Sequence, residues 1–459
     1  MHTSNSTKII TAAAFSTLLA LTVFITNQTT TPDNPIEPIL AKSQASQASL
    51  PIRQALNPTS IQAKPSGGHT NRNSSTYDQY LQSLTSDQLN NVAALSAEGI
   101  VIGEFSQSKP GEDQQIIVRA RSLSTVSAFA TLQPAPTGKK LNEIEYAYGI
   151  DKILNKGEGQ TITILIPAGS VTLESDLKVF SAAMNIPDAQ VEFIYPQGKP
   201  TTTDDSWALE ASLDAQWAHA LAPKAKLRVV VTNSSSITAL MQGLDAAIAA
   251  GSKIVSMSWG SVEWSGQMGA NYDGKLNRPG VSLVAATGDS GAGCNWPSCA
   301  PYLLAVGGTQ FVTDAKGVVT ESVWANGTGG TSKYYAKPTY QNNVQKTANR
   351  QVPDLAFHAA GYSVYIGNYK GGKGWLNVSG TSASAPCIAG LIARGYVQRT
   401  LALPSSPHAI LYSNQSLFFK DITLGTQKNG AVDAVKVGYD TASGLGSPQS
   451  VNFVRALSN

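Results

Sequence analysis

Hydrophobic and polar positions divide the chain into stretches of different period. Apolar residues crowd the stretch 9–25 behind Lys8 and then thin out. Residues 27–76 are rich in Thr, Ser, Gln, Asn and Pro with little periodicity, the composition of a linker or disordered segment. Apolar positions return at Tyr80, Leu81, Leu84, Leu89, Val92 and Leu95 with helical spacing, and Ile116 and Val118 alternate as in a strand. The run Gln133-Pro134-Ala135-Pro136-Thr137-Gly138 then marks a boundary.

Beyond that boundary the period changes regularly. Apolar runs predict strands at 161–166, 191–195, 227–231, 254–257 and 282–286. Helical patterns lie between them at 173–184, 206–220 and 237–250, the last ended by Gly251. Short buried runs separated by helices of roughly 10–15 residues predict an α/β fold with a mainly parallel sheet. Ligands of such sheets bind at the carboxyl ends of the strands. Residues 309–377, rich in Gly, Asn and Tyr, predict loops and short strands. Next comes Ser379-Gly380-Thr381-Ser382-Ala383-Ser384-Ala385-Pro386, leading into the apolar stretch 387–393. Pro386 suits the first turn of a helix. Ser382 is then expected at or just before a buried helix start, facing free N–H groups and the positive end of the helix dipole. That position suits a nucleophile whose reaction builds an oxyanion. A small-residue turn feeding a core helix is the structural alternative.

Composition narrows the choices. The chain has 459 residues, enough for a large core and more than one domain. Its formal net charge is +3, charged residues are 14%, and no basic run stands out, so no nucleic-acid partner is expected. Of the three cysteines, Cys294 and Cys299 are close enough to pair across a loop, and Cys387 reads as a buried thiol. No Cys or His lies beside that pair to suggest zinc. The apolar run behind Lys8 reads as a secretory signal. No clean small-residue cleavage site follows it, so an uncleaved signal-anchor is the competing reading.

Three acids stand out. Glu210 and Asp214 are four residues apart on the predicted helix, hence on one face. Their neighbours Ala208, Leu209, Ala211, Leu213, Ala215 and Trp217 predict burial. Buried paired acids that share a proton make a general base or acid; a solvated or ion-paired face is the alternative. Asp204, Asp205 or Ser206 can cap the helix. The third acid, Asp289, sits in Gly288-Asp289-Ser290-Gly291, a tight turn at the end of a buried strand. It reads either as a turn residue or as an acid beside a reacting centre.

Taken in order, several segments resemble the sedolisin family of serine-carboxyl peptidases, over roughly residues 141–449. They are Tyr146-Ala147-Tyr148-Gly149-Ile150, Gly157-x-Gly159-Gln160-Thr161-Ile162, Glu210-x-x-Leu213-Asp214-x-Gln216, Val255-Ser256-Met257-Ser258-Trp259-Gly260, Gly288-Asp289-Ser290-Gly291, Ala305-Val306-Gly307-Gly308-Thr309, Arg350-x-Val352-Pro353-Asp354 and Gly380-Thr381-Ser382-Ala383-Ser384-Ala385-Pro386. The resemblance implies a subtilisin-like three-layer α/β fold with a mainly parallel central sheet, preceded by a signal segment and a short propeptide. It implies Ser382 as nucleophile, Glu210 as general base, Asp214 as the residue orienting Glu210, and Asp289 as the oxyanion-hole acid. Ser258, Trp259 and Gly260 match the stretch that lines substrate. A free glutamate side chain titrates at about 4.3 against about 6.5 for histidine, so a carboxylate base suits acidic solution. A histidine-based subtilisin triad is not supported. The first predicted strand ends Ile166-Pro167-Ala168-Gly169 without an Asp, and none of His2, His69, His219, His358 or His408 stands in a His-Gly-Thr setting.

The resemblance also implies one structural calcium ion, held by Asp421, Ile422, Lys436, Gly438 and Asp440 in a loop spanning 421–448. Lys436 stands where the family usually has Gly. The implied organisation is a signal peptide or signal-anchor over 1–26, a linker over 27–76, a propeptide over 77–137 and the peptidase domain over 138–459. The expected protein is a secreted, monomeric precursor whose propeptide masks the site until cleaved, acting on protein or peptide substrates. It faces a membrane only if the N-terminal segment is retained. A tripeptidyl or other exopeptidase on the same scaffold is one alternative, and a degenerate binding or envelope protein another. The intact Glu210, Asp214, Asp289 and Ser382 argue against the latter.

Overall fold

Strand β1 (Thr161–Pro167) buries Ile162, Ile164, Leu165 and Ile166 completely. A strand apolar on both faces belongs in the middle of a covered sheet, and β1 takes that place. In this computed structural model the described residues are 132–402, 406–428 and 435–458, together with the strand pieces Ile100–Val101, Glu104–Phe105 and Val118–Arg119. The signal segment, the linker and most of the propeptide region lie outside them.

After β1 come α1 (Leu173–Met184), β2 (Val191–Ile194), α2 (Asp205–Leu221), β3 (Lys226–Thr232), α3 (Ile237–Ala249), β4 (Ile254–Met257) and β5 (Ser282–Ala286). Each matches its predicted span within one residue at either end. Then follow β6 (Leu304–Thr313), β7 (Val319–Val323), β8 (Leu355–His358), β9 (Tyr362–Tyr369), β10 (Gly372–Ser379), α4 (Thr381–Tyr396) and α5 (Ser450–Ser458). The central sheet has eight strands in the order β7-β6-β5-β4-β1-β3-β2, with β8 also paired to β6. Its pairings are parallel except β6 with β7. This is the expected subtilisin-like α/β architecture.

Two expectations need correction. Residues 309–377 hold more strand than predicted: β9 and β10 form an antiparallel hairpin of eight residues each. Tyr362, Val364 and Ile366 are fully buried at a spacing of two, but Ser363 between them is buried as well, and the surrounding Gly and Asn obscure the pattern further. The second concerns Pro386. Helix α4 begins at Thr381, so Pro386 lies inside it rather than in its first turn. A proline there leaves the carbonyl four residues earlier, that of Ser382, without its helical partner. A helix at Leu141–Tyr148, burying Leu141, Ile144 and Tyr148, adds to the predicted elements.

Helix α2 is buried on all sides, from Trp207 to Leu221. It packs against α1, α4, β1 and β9. Gln216 Nε2 donates to the Tyr365 carbonyl (2.6 Å) and its Oε1 accepts from Tyr365 N (3.0 Å), stitching α2 to β9. On the other side α2 and α4 cross closely at Gly390, where a Cβ would fall 2.6 Å from Leu221 Cβ. The small residues of α4 thus let two buried helices touch. That contact brings Ser382 to the acids of α2.

Candidate active site

Asp204 starts α2 by accepting from Ser206 N (2.9 Å) and Trp207 N (3.0 Å), which fixes the phase of the helix. Glu210 and Asp214 then fall on the side facing α4, both buried. Burial pushes Glu210 well above the usual carboxylate range, and the neighbouring Asp214 charge pushes it further, while the Ser382 hydroxyl favours its ionised form. Burial likewise raises Asp214, against hydrogen bonds from Ser258 and Glu210 that favour its charge. Glu210 Oε1 and Asp214 Oδ2 are buried without other partners. A single proton shared by the two carboxyls satisfies such a pair.

Asp289 approaches from the loop after β5. Its Oδ1 accepts from Thr381 N (2.8 Å) and Thr381 Oγ1 (2.9 Å), while Thr381 Oγ1 in turn accepts from Gly288 N (3.0 Å). Its Oδ2 is buried without a partner. With Oδ1 occupied by two donors, the proton of the neutral acid belongs on Oδ2. Burial raises this acid well above its usual range; the Thr381 contacts oppose the shift and the Glu210 charge adds to it. Thr381 immediately precedes Ser382, which is 3% exposed in the first turn of α4. The four predicted catalytic positions therefore meet at one place, beside the carboxyl end of β5.

The stretch Ser258-Trp259-Gly260 follows β4 at the same edge of the sheet. Its two side chains turn inward rather than toward a ligand. Trp259 Nε1 donates to the Leu165 carbonyl (2.9 Å). Ser258 Oγ lies 2.8 Å from Asp214 Oδ1 and 3.3 Å from the Ser382 carbonyl oxygen, the one Pro386 leaves free. A hydroxyl has one hydrogen. With Asp214 ionised it goes to Asp214; with Asp214 protonated it can serve Ser382. Sequence reading placed Ser258 near substrate and missed this contact, which joins residues far apart in the chain.

None of the described histidines faces Ser382 as a base. His219 Nε2 pairs with the Pro187 carbonyl (2.8 Å), and burial lowers its pKa. His358 is fully buried, which lowers its pKa to about 3. His408 contacts Asp354 (3.1 Å).

In the C-terminal loop Asp421 and Asp440 grip one turn. Asp421 Oδ2 accepts from Gly438 N (2.8 Å), and Asp440 Oδ2 from Lys436 N (3.1 Å). Asp440 Oδ1 accepts from Ala442 N, Ser443 N and Ser443 Oγ. Asp421 Oδ1 is buried with no partner, Ile422 is buried, and Lys436 is exposed. An orphaned carboxylate oxygen beside a second carboxylate fits a hard cation, and the Lys436 side chain does not fill the loop.

Comparison with known proteins gives three consistent results. A profile described as the subtilase family matches residues 206–413. Kumamolisin of Bacillus sp. (strain MN-32) is 31% identical over 371 residues, covering 70% of this chain and 64% of that protein. Sedolisin of Pseudomonas sp. (strain 101) is 27% identical over 386 residues, covering 72% and 64%. The chain thus spans just under two thirds of the length of these relatives. The solved structure of Pseudomonas sedolisin, complexed with two molecules of pseudo-iodotyrostatin, superposes with a TM-score of 0.60 at 22% identity. That match covers 70% of this chain and 98% of the other, a likeness of fold.

Proposed function

The chain belongs to the sedolisin family of serine-carboxyl peptidases, and from that premise we propose that it is an endopeptidase working in acidic solution through an acyl-enzyme on Ser382. The observation that carries this reading is the clamp of Thr381 on Asp289, which sets an acid with a free buried oxygen next to the serine. In the proposed sequence Ser382 Oγ attacks the peptide carbonyl and its proton passes to Glu210. Asp214 holds Glu210 and shares its proton. Asp289, protonated on Oδ2, donates a hydrogen bond to the developing oxyanion; one such donor is typically worth about 100–1000-fold in rate. Glu210 returns the proton to the leaving amine, and water then releases the acyl group by the same path in reverse. Because the side chains of Ser258 and Trp259 are buried, substrate contact along 258–260 falls to the main chain, as for an added strand.

The apolar run near the N-terminus supports secretion as a precursor, with the region before Gly138 as propeptide and intramolecular inhibitor. Asp421, Ile422, Lys436, Gly438 and Asp440 would hold one calcium ion, which cross-links the C-terminal loop and stabilises the fold when bound. Chelation is expected to lower the midpoint of thermal unfolding; an unchanged midpoint counts against this site.

Incubating the purified full chain between about pH 3 and 8, a range that brackets the ordinary titration of free glutamate and histidine, tests the main reading. A new N-terminus near residue 138 is expected in acid, together with cleavage within an N-terminally blocked peptide. Ser382→Ala should lose both, by on the order of 10⁴–10⁶-fold. Cleavage confined to the release of tripeptides from free N-termini would replace the endopeptidase reading. Retained cleavage in Ser382→Ala would remove the nucleophile assignment.

A further inference from the structure

The geometry points to a second cation site, separate from the calcium loop: Glu263, Cys294 and Cys299 form a site for a soft or borderline divalent ion, zinc above all. One ligand-type atom from each lies within 4.8 Å of the other two. A tetrahedral zinc with bonds of about 2.3 Å to sulfur and about 2.0–2.2 Å to oxygen has ligand–ligand edges of about 3.3–3.8 Å. Small side-chain rotations close that gap. Two thiolates with a carboxylate favour a zinc-class ion over calcium, which takes oxygen ligands alone.

A strand pairing assembles the cluster. Ser261–Val262 and Asn295–Trp296 run antiparallel, with Val262 opposite Asn295. The residue after Val262 therefore meets the residue before Asn295, so Glu263 faces Cys294. Cys299 returns to the same point through a turn in which its N–H donates to the Asn295 carbonyl (2.8 Å). No sequence-local search finds this set, because the third ligand comes from another strand.

The ligands are already held in place. Glu263 Oε2 accepts from Lys333 N (2.9 Å), and Oε1 accepts from Gln267 Nε2 (3.3 Å) and from Ser332 Oγ. Gln267 Nε2 also lies 3.8 Å from Cys299 Sγ. Contacts of this kind orient ligands in metal sites. Cys299 is fully buried, while Cys294 and Glu263 are partly exposed and give the ion a way in and room for a fourth ligand. Both cysteines are free thiols. The ion would tie the segment that follows β4 to the loop that follows β5 and carries Asp289.

The test uses the full chain as the Ser382→Ala variant, which removes self-cleavage. It is reduced, held without oxygen at neutral pH, saturated with calcium and titrated with cobalt(II) as the spectroscopic probe. The expected result is a thiolate-to-cobalt charge-transfer band that saturates at one equivalent and is displaced by zinc(II). Cys294→Ser should abolish the band. Glu263→Gln should weaken binding by at least the roughly tenfold seen when even an outer partner is lost. Cys299 is left intact because it is buried in the core. No charge-transfer band, or a band that survives Cys294→Ser, overturns the site. So does recovery of Cys294 and Cys299 from the secreted protein as a disulfide.

Discussion

Two buried carboxyl clusters in this fold meet opposite fates. At the first, Glu210, Asp214 and Asp289 are taken out of water with no cation among the groups that shift them, and burial raises all three. At the second, Asp354 is equally buried, yet Arg350 pairs with it through two bonds of 2.7 Å. Ala305 N (2.8 Å), Tyr412 Oη (2.6 Å) and His408 Nε2 (3.1 Å) complete the shell. Burial alone would raise Asp354, but the charges of Arg350 and His408 overcome it and hold the acid well below its usual range. The same desolvation thus gives proton-holding, reactive acids where the proton is the only counterion. It gives a permanently ionised strut where a guanidinium takes that part.

The contrast predicts opposite responses to neutral isosteres. Asp354→Asn strands the buried Arg350 charge and should cost on the order of 3–5 kcal/mol in denaturant unfolding, with loss of activity following loss of fold. Glu210→Gln should cost only about 1 kcal/mol near pH 4, the worth of one neutral hydrogen bond, while abolishing turnover. The pH dependence has a definite sign. A carboxyl raised in the native state binds more protons there than in the unfolded chain. The stability from Glu210, Asp214 and Asp289 is therefore complete below the unfolded pKa of about 4 and is lost as pH rises through the raised native values. Asp354 contributes above about pH 4 and loses its contribution only in stronger acid. Glu210→Gln should flatten the neutral-side decline in unfolding free energy. A slope equal to that of the parent would mean Glu210 is not proton-bound in the native state.

A smaller effect separates the members of the reactive cluster. Ser258→Ala removes the hydroxyl between Asp214 and the Ser382 carbonyl. A loss of roughly tenfold in kcat with little change in KM is expected, the worth of one hydrogen bond to a charged group. The pH profile should be displaced, and Ser258→Thr should restore it. A change in KM alone would return Ser258 to the substrate wall.

Much of this is legible in the order of the residues. Helix α2 and its two acids follow from local spacing and the Asp204 cap, and the parallel strands from apolar runs bounded by turns. What escapes depends on distant partners. The start of α4 is set where β10 ends, so Pro386 falls in the interior rather than the first turn. The Ser258–Asp214 bond and the Glu263–Cys294 approach each join residues from separate elements. The β9–β10 hairpin is hidden because its Gly and Asn residues dilute a period of two.

The most direct test of the central claim is the pH dependence of kcat/KM of the wild-type protein on an internally quenched peptide. Three raised acids, one of which must give up a proton and one keep it, predict a bell on the acid side of neutrality, falling as Asp289 and the shared proton of Glu210 and Asp214 are lost. A rate that instead climbs through neutrality to an alkaline plateau would mean that these carboxyls do not drive Ser382.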